Sequence, residues 1–170
     1  MERYFKCFLL IAVVALLSCP GCGPTNPKTI PVNGQVTFNG GEFPGAGKVN
    51  FLPRPGSGTD AEPMRPAIGR FDADGKFQAT TWEEGDGLRP GEYLVTVECW
   101  KQAPTMGHLG ISYVNLKFLR PMESELTVEV KPDDPKVEVT WDVTGPTNPI
   151  DMGDSPMAGG MDMNQPPPEE

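Results

Sequence analysis

From about residue 31 onward apolar and polar positions alternate, the period-two pattern of strands that bury one face. Val32, Gly34, Val36 and Phe38 alternate with Asn33, Gln35 and Thr37. Asn39-Gly40-Gly41 follows as a turn in which positive φ is cheap. Residues 48–53 set Val49 and Phe51 on one face. Residues 66–71 and 76–81 flank Asp72-Ala73-Asp74-Gly75, a hairpin turn, with Phe77 and Ala79 facing inward. Residues 91–100 carry the strongest alternation: Tyr93, Val95, Val97 and Cys99 on one face, Leu94, Thr96, Glu98 and Trp100 on the other. Residues 125–131 point Leu126, Val128 and Val130 inward, and residues 136–144 point Val137, Val139, Trp141 and Val143 inward. The pattern thus predicts seven short strands separated by Gly, Pro and Asp turns, with no helical period. Such an all-β chain buries its alternating faces by stacking two sheets as a sandwich.

Leu88-Arg89-Pro90-Gly91-Glu92-Tyr93 resembles a tyrosine corner, in which a hydroxyl at a strand start bonds back to upstream backbone and locks a Greek-key crossover. That gives Tyr93, with Pro90 and Gly91, a structural role, and Gly75 the same at its turn.

The two ends break the pattern. Arg3 and Lys6 precede eleven apolar residues, Cys7 to Leu17. A membrane span needs about 20, so the segment reads as a secretory signal peptide over residues 1–18. Leu16-Leu17-Ser18-Cys19 resembles the lipobox of bacterial lipoproteins, which would make Cys19 the lipidated N-terminus; Cys22, preceded by Gly21, is the alternative. A diacylglyceryl cysteine would hold the chain to a membrane without a spanning helix. Residues 19–30 then form a tether, residues 31–144 the folded domain, and residues 145–170 a disordered tail rich in Pro, Gly and Met, with acids and no base.

Charge narrows the partners. The chain has 14 Lys and Arg against 23 Asp and Glu, a net of −9. Nucleic acid, whose binding requires a basic face, is therefore not an expected partner. Nor would an acidic chain gain from anionic lipid headgroups, so the lipid would be the anchor.

Candidate chemistry is sparse. His108, the one histidine, lies in a long loop over residues 101–115, and the expectation is a solvated loop side chain. Cys99 falls on the inward phase and is expected to be a buried, unreactive thiol. Asp72-x-Asp74-Gly75 has the start of a calcium loop but lacks its later ligands; a turn held by Asp side chains explains the spacing. Glu83, Glu84 and Asp86 complete that acidic cluster. No metal or cofactor is expected, and no acid–base constellation for an enzyme. Trp82 and Trp100 have ambiguous phase; exposed, they could stack a sugar.

Taken in order, these motifs resemble the carboxypeptidase-regulatory-like, transthyretin-like modules of small planctomycete-type envelope lipoproteins. The matching runs are Pro31 to Gly40, Gly45 to Pro53, Phe71 to Phe77 (with Phe71 where Thr is usual), Leu88 to Val97 and Ser124 to Val130. The resemblance implies a prealbumin-like, seven-stranded Greek-key sandwich without catalytic residues. The expected function is a lipid-anchored structural or interaction module on a bacterial envelope, facing the periplasm, with outer-membrane sorting favoured because neither Pro20 nor Gly23 is an Asp retention signal. Its expected partners are the membrane and another envelope protein contacted through the loop at residues 101–115. A carbohydrate-binding module using Trp82 or Trp100 on a polysaccharide is the alternative, with His108 as a further candidate contact.

Overall fold

The computed structural model describes residues 26–59 and 62–154. Eleven strands follow in order: β1 (Val32–Phe38), β2 (Gly47–Pro53), β3 (Gly58–Thr59), β4 (Glu62–Pro63), β5 (Ala67–Phe71), β6 (Lys76–Thr80), β7 (Gly91–Gln102), β8 (Ile111–Ser112), β9 (Leu126–Val130), β10 (Val137–Val143) and β11 (Ile150–Asp151). Those of five residues or more coincide with the seven strands that the alternation predicts. Nine strands join one curled, mixed sheet in the order β10-β1-β6-β5-β2-β7-β8-β11, with β9 also on β7; β3 and β4 form a separate small hairpin. The two additions to the seven are β8 and β11, each too short for a period to register.

Strand β6 is where the sheet turns. Its first half pairs with β1, Gln78 with Asn33 and Lys76 with Gln35. Its second half pairs with β5, Ala79 with Gly69 and Thr80 with Ile68. Phe77 sits at this corner, and its ring needs room from both neighbours. Each neighbour supplies a glycine: a Cβ at Gly34 would lie 2.6 Å from the ring, and one at Gly69 2.7 Å. Across the fold Phe77 stacks on Trp141 of β10, centroids 6.1 Å apart and planes at 3°. Phe51 of β2 meets both rings, at 5.9 Å from Phe77 and 6.4 Å from Trp141. The β10–β1 end of the sheet therefore folds back over β2, and the aromatic trio fills the space between. Burying Phe51 completely contributes about 2–3 kcal/mol.

The inward face of β7 is fully committed: Tyr93, Val95, Val97 and Cys99 are all buried. A buried 3₁₀ turn anchor, Phe118 in Leu116–Leu119, also joins the core. One pairing departs from the otherwise antiparallel ladders. β1 and β10 run parallel from Val32 opposite Val137 to Phe38 opposite Val143.

Three boundaries move relative to the sequence reading. Ile30, assigned to the tether, is buried and exchanges both backbone bonds with Leu88, at 2.8 and 3.0 Å. A flanking proline-rich run hides a single buried residue from any periodicity. The loop expected at residues 101–115 narrows to residues 103–110, because β7 continues to Gln102 and Ile111 pairs with it. The disordered tail expected from Gly145 gives way over residues 145–154 to chain that packs on the domain: β11 pairs with β8, and Met152 donates to the Gly110 carbonyl at 3.0 Å. The signal segment, Cys19, Cys22 and residues 155–170 lie outside the described residues.

Candidate functional site

The loop at residues 103–110 connects β7 to β8 and is fastened at its base. Thr105 N–H donates to the His108 carbonyl at 2.8 Å, and Leu109 N–H donates to the Gly153 carbonyl at 2.8 Å. His108 is not a free loop side chain. Its Nε2 lies 3.0 Å from Asp151 Oδ1, and its Nδ1 accepts the Gly110 N–H at 2.9 Å. With Nδ1 accepting, the proton of the neutral ring sits on Nε2 and points at the carboxylate. Nε2 thus joins the loop to β11, and Nδ1 closes the end of the loop on its own Gly110. Beyond this clamp Met106 is 87% exposed, a large apolar side chain held out by a fixed base. The sequence reading missed the clamp because Asp151 is 43 residues away, in a segment without strand alternation.

Trp82 and Trp100 are both half-buried and lie far apart. Thr80 pairs with Ile68, Ile68 with Asn50 and Asn50 with Thr96, which defines one row across the sheet. Trp82 lies two residues beyond that row towards Leu94, and Trp100 four residues beyond it the other way. At ~3.3 Å per residue the backbones of the two residues stand about 20 Å apart along the strand direction. They do not form one platform. The Trp100 indole N–H is also committed, donating to Glu98 Oε2 at 2.9 Å. Glu98 further accepts from Asn50 at 2.7 Å and pairs with Lys48 at 3.2 Å. Trp82 belongs to a turn held by Asp86, which accepts the Thr81 and Trp82 N–H groups at 2.7 and 3.1 Å.

The remaining candidate residues are built into the frame. The Tyr93 hydroxyl donates to the Arg89 carbonyl at 3.0 Å, four residues upstream and across Pro90 and Gly91. Burial pushes that phenol up to about 12, against the opposing positive charge of Arg89. Gly91 takes φ 148° and Gly75 φ 70°. Asp74 accepts the Lys76 N–H at 3.0 Å, so this acid closes its own turn. Among the described residues no three His, Cys, Asp or Glu side chains converge as metal ligands. Cys99 is buried with its thiol directed at the Gly45 and Ala46 carbonyls, 3.7 and 3.6 Å away. Burial raises it to about 11.

A cleft of about 740 Å³ opens where β6 passes from β1 to β5, lined by Asn33, Ile68, Arg70, Lys76, Gln78 and Glu84 among others. Each of these is visible in sequence only as an outward position of its own strand or turn. Their convergence depends on the split pairing of β6, which no local pattern encodes.

Among the described residues no helix is long and apolar enough to cross a membrane. The chain matches no protein-family model, no curated protein and no solved structure.

Proposed function

We propose that this protein is a non-catalytic interaction module, carried at a bacterial envelope membrane by a lipid on Cys19 or, failing that, Cys22. It presents the loop at residues 103–110 to another envelope protein. The observation that carries this reading is the clamp of His108 on Asp151 and Gly110 beneath an exposed Met106. A loop ordered before binding loses less entropy on docking than a free one, and an exposed Met suits an adaptable apolar contact. The commitment of both nitrogens of the chain's one imidazole supports the non-catalytic part of the reading. A transthyretin-like Greek-key sandwich belongs to the same proposal. It is supported by the ordered motifs from Pro31 to Val130 and by the Tyr93 hydroxyl on Arg89.

Two measurements test it. Intact mass of membrane-extracted protein should give a species beginning at Cys19 with added lipid mass, lost in Cys19→Ala. A soluble, unlipidated product would remove the anchor, and lipid that follows Cys22→Ala instead would move it. A photo-crosslinker at position 106 should capture a discrete envelope partner, and the capture should weaken in His108→Ala. No adduct at position 106 in intact cells would remove the loop as the contact.

Polysaccharide binding is a second reading. It is favoured by one observation, that Trp82 shares a turn with Glu84, which lines the cleft beside Arg70 and Gln78. Retention on envelope polysaccharide that is abolished by Trp82→Ala and kept by Trp100→Ala would support it; equal retention by all three proteins would reject it.

A further inference from the structure

Strand β10 ends the sheet, with β1 on one side of it. In a parallel ladder, successive residues alternate between bonding to the neighbouring strand and facing away from it. Two bonds fix the phase here. Val137 N–H donates to the Pro31 carbonyl, and Asn39 N–H to the Val143 carbonyl, both at 2.9 Å. The odd-numbered residues of β10 therefore bond to β1. The backbone groups of Glu138, Thr140 and Asp142 face outward, and among the described residues none of them has a backbone partner. The open stretch stops at Thr144, whose carbonyl accepts from Asn115 at 3.0 Å.

Natural sheets blunt such an edge with charged side chains, proline, a bulge or a covering segment, and of these β10 carries only charge, on Glu138 and Asp142. β10 has no proline, and its register with β1 runs unbroken through seven residues. Its inner face is unfinished. Val143 is fully buried, while Val137, Val139 and Trp141 are only half-buried although they pack on the core. Its outer face carries the exposed side chains of Glu138, Thr140 and Asp142. Asp142 Oδ1 is used by Thr37 at 2.6 Å and by Gly40 N–H at 2.8 Å, and Glu138 pairs with Lys136 at 2.5 Å in an exposed pair. An exposed pair of this kind is worth little and is readily exchanged.

We propose that the open edge of β10 is a strand-addition site for an extended segment of another protein in which Lys or Arg alternates with apolar residues. Main-chain bonds to Glu138, Thr140 and Asp142 supply register-independent affinity, and alternate side chains supply selectivity. On the solvent face, cations fall opposite Glu138 and Asp142. On the core face, apolar side chains cover what Val139 and Trp141 leave open. A second copy of this chain is a poorer occupant. The symmetric pairing centred on Thr140, which engages all three open residues, sets Glu138 against Asp142 at both ends, and like charges directly opposite are unfavourable. The site is separate from the loop at residues 103–110 and stands whether or not that loop binds anything.

The test uses the full chain and two synthetic heptapeptides, one alternating lysine with valine and one alternating glutamate with valine. Amide hydrogen exchange is read at Glu138, Thr140 and Asp142, with Val139 and Trp141 as internal references already bonded to β1. The lysine peptide should slow the first three amides about tenfold or more and leave the references unchanged, while the glutamate peptide does neither. Thr140→Pro removes an outward N–H and no ladder bond, a position where an edge strand tolerates proline; it should weaken lysine-peptide binding about tenfold. Should that variant fail to fold, Glu138→Lys reads the same site through charge and should weaken the lysine peptide about fivefold. Three outcomes overturn the proposal: no slowing with the lysine peptide at millimolar concentration, equal slowing by both peptides, or a peptide-free dimer that protects the same three amides.

Discussion

His108 and Asp151 meet at 3.0 Å across a gap of 43 residues, and through that contact the last described strand holds the loop after β7. The imidazole is only 23% exposed while the carboxylate is 63% exposed, so the ring is the enclosed partner. His108→Ala removes this bond and leaves the Gly110 N–H without its acceptor. The expected cost is about 1–2 kcal/mol, felt locally: the Leu109 and Met152 amides should exchange faster while core amides of β7 do not. Asp151→Asn keeps an acceptor for Nε2–H and should be milder. Uniform acceleration throughout the sheet would contradict a local clamp.

Tyr93 and Cys99 set the alkaline limit of the fold. Each is neutral when protonated, and burial raises one from 10.0 to about 12 and the other from 9.0 to about 11. A raised folded-state value means that the unfolded chain releases its proton first. The stabilisation is complete below about pH 9, the lower of the two unfolded values, and is lost as pH rises through about 11 and 12. Urea unfolding followed from about pH 8 to 12 should show stability falling by roughly 2–4 kcal/mol. Tyr93→Phe should begin about 1 kcal/mol less stable, having lost the bond to Arg89, and then decline less steeply. Parallel curves for the two proteins would mean that the phenol does not titrate with unfolding.

The same burial makes Cys99 a reporter. At neutral pH a thiol-specific reagent should modify the native protein only as fast as the protein unfolds, because the thiolate is both scarce and enclosed. Rapid labelling under native conditions would contradict its place in the core.

Gly75 and Gly91 both take positive φ but differ in what surrounds them. A Cβ on Gly75 would stand 1.8 Å from the Val36 carbonyl oxygen, which is fixed backbone, whereas one on Gly91 would meet the end of the flexible Met64 side chain at 2.5 Å. Gly75→Ala should therefore cost about 3 kcal/mol or more, and Gly91→Ala, strained by its φ alone, about 1–2 kcal/mol. Chemical denaturation of the two variants checks the order; equal losses would show that φ alone decides.

The contrast between frame and site follows from what alternation can encode. Period two located every long strand, because burial of one face acts on each residue independently, as in Tyr93, Val95, Val97 and Cys99. It says nothing about which strands become neighbours. The parallel pairing of β1 with β10, the split of β6 around Phe77 and the cleft beside it all come from topology. Gly34 and Gly69 are the nearest thing to a local signal for that corner, and they are readable only once Phe77 is known to lie between them. His108 was misplaced for the same reason: its partner Asp151 sits in a stretch whose composition suggests no structure. Trp82 and Trp100 were ambiguous in phase, and the sheet rows that separate them were not available from sequence.

The parallel pairing of β1 and β10 also fixes how the domain responds to tension. A pull between the two ends of the domain first peels the two-residue β11 from β8. It then enters β1 at its N-terminal end and leaves β10 at its C-terminal end. Because these strands point the same way, the load acts along the ladder as shear, and the bonds between Val32–Phe38 and Val137–Val143 strain together instead of opening one by one. Single-molecule stretching should show an abrupt high-force rupture that Val139→Pro, which removes a donor aimed at β1, abolishes; an unchanged rupture force would locate the resistance elsewhere. Tension between the ends is borne in the direction in which this sheet resists it best.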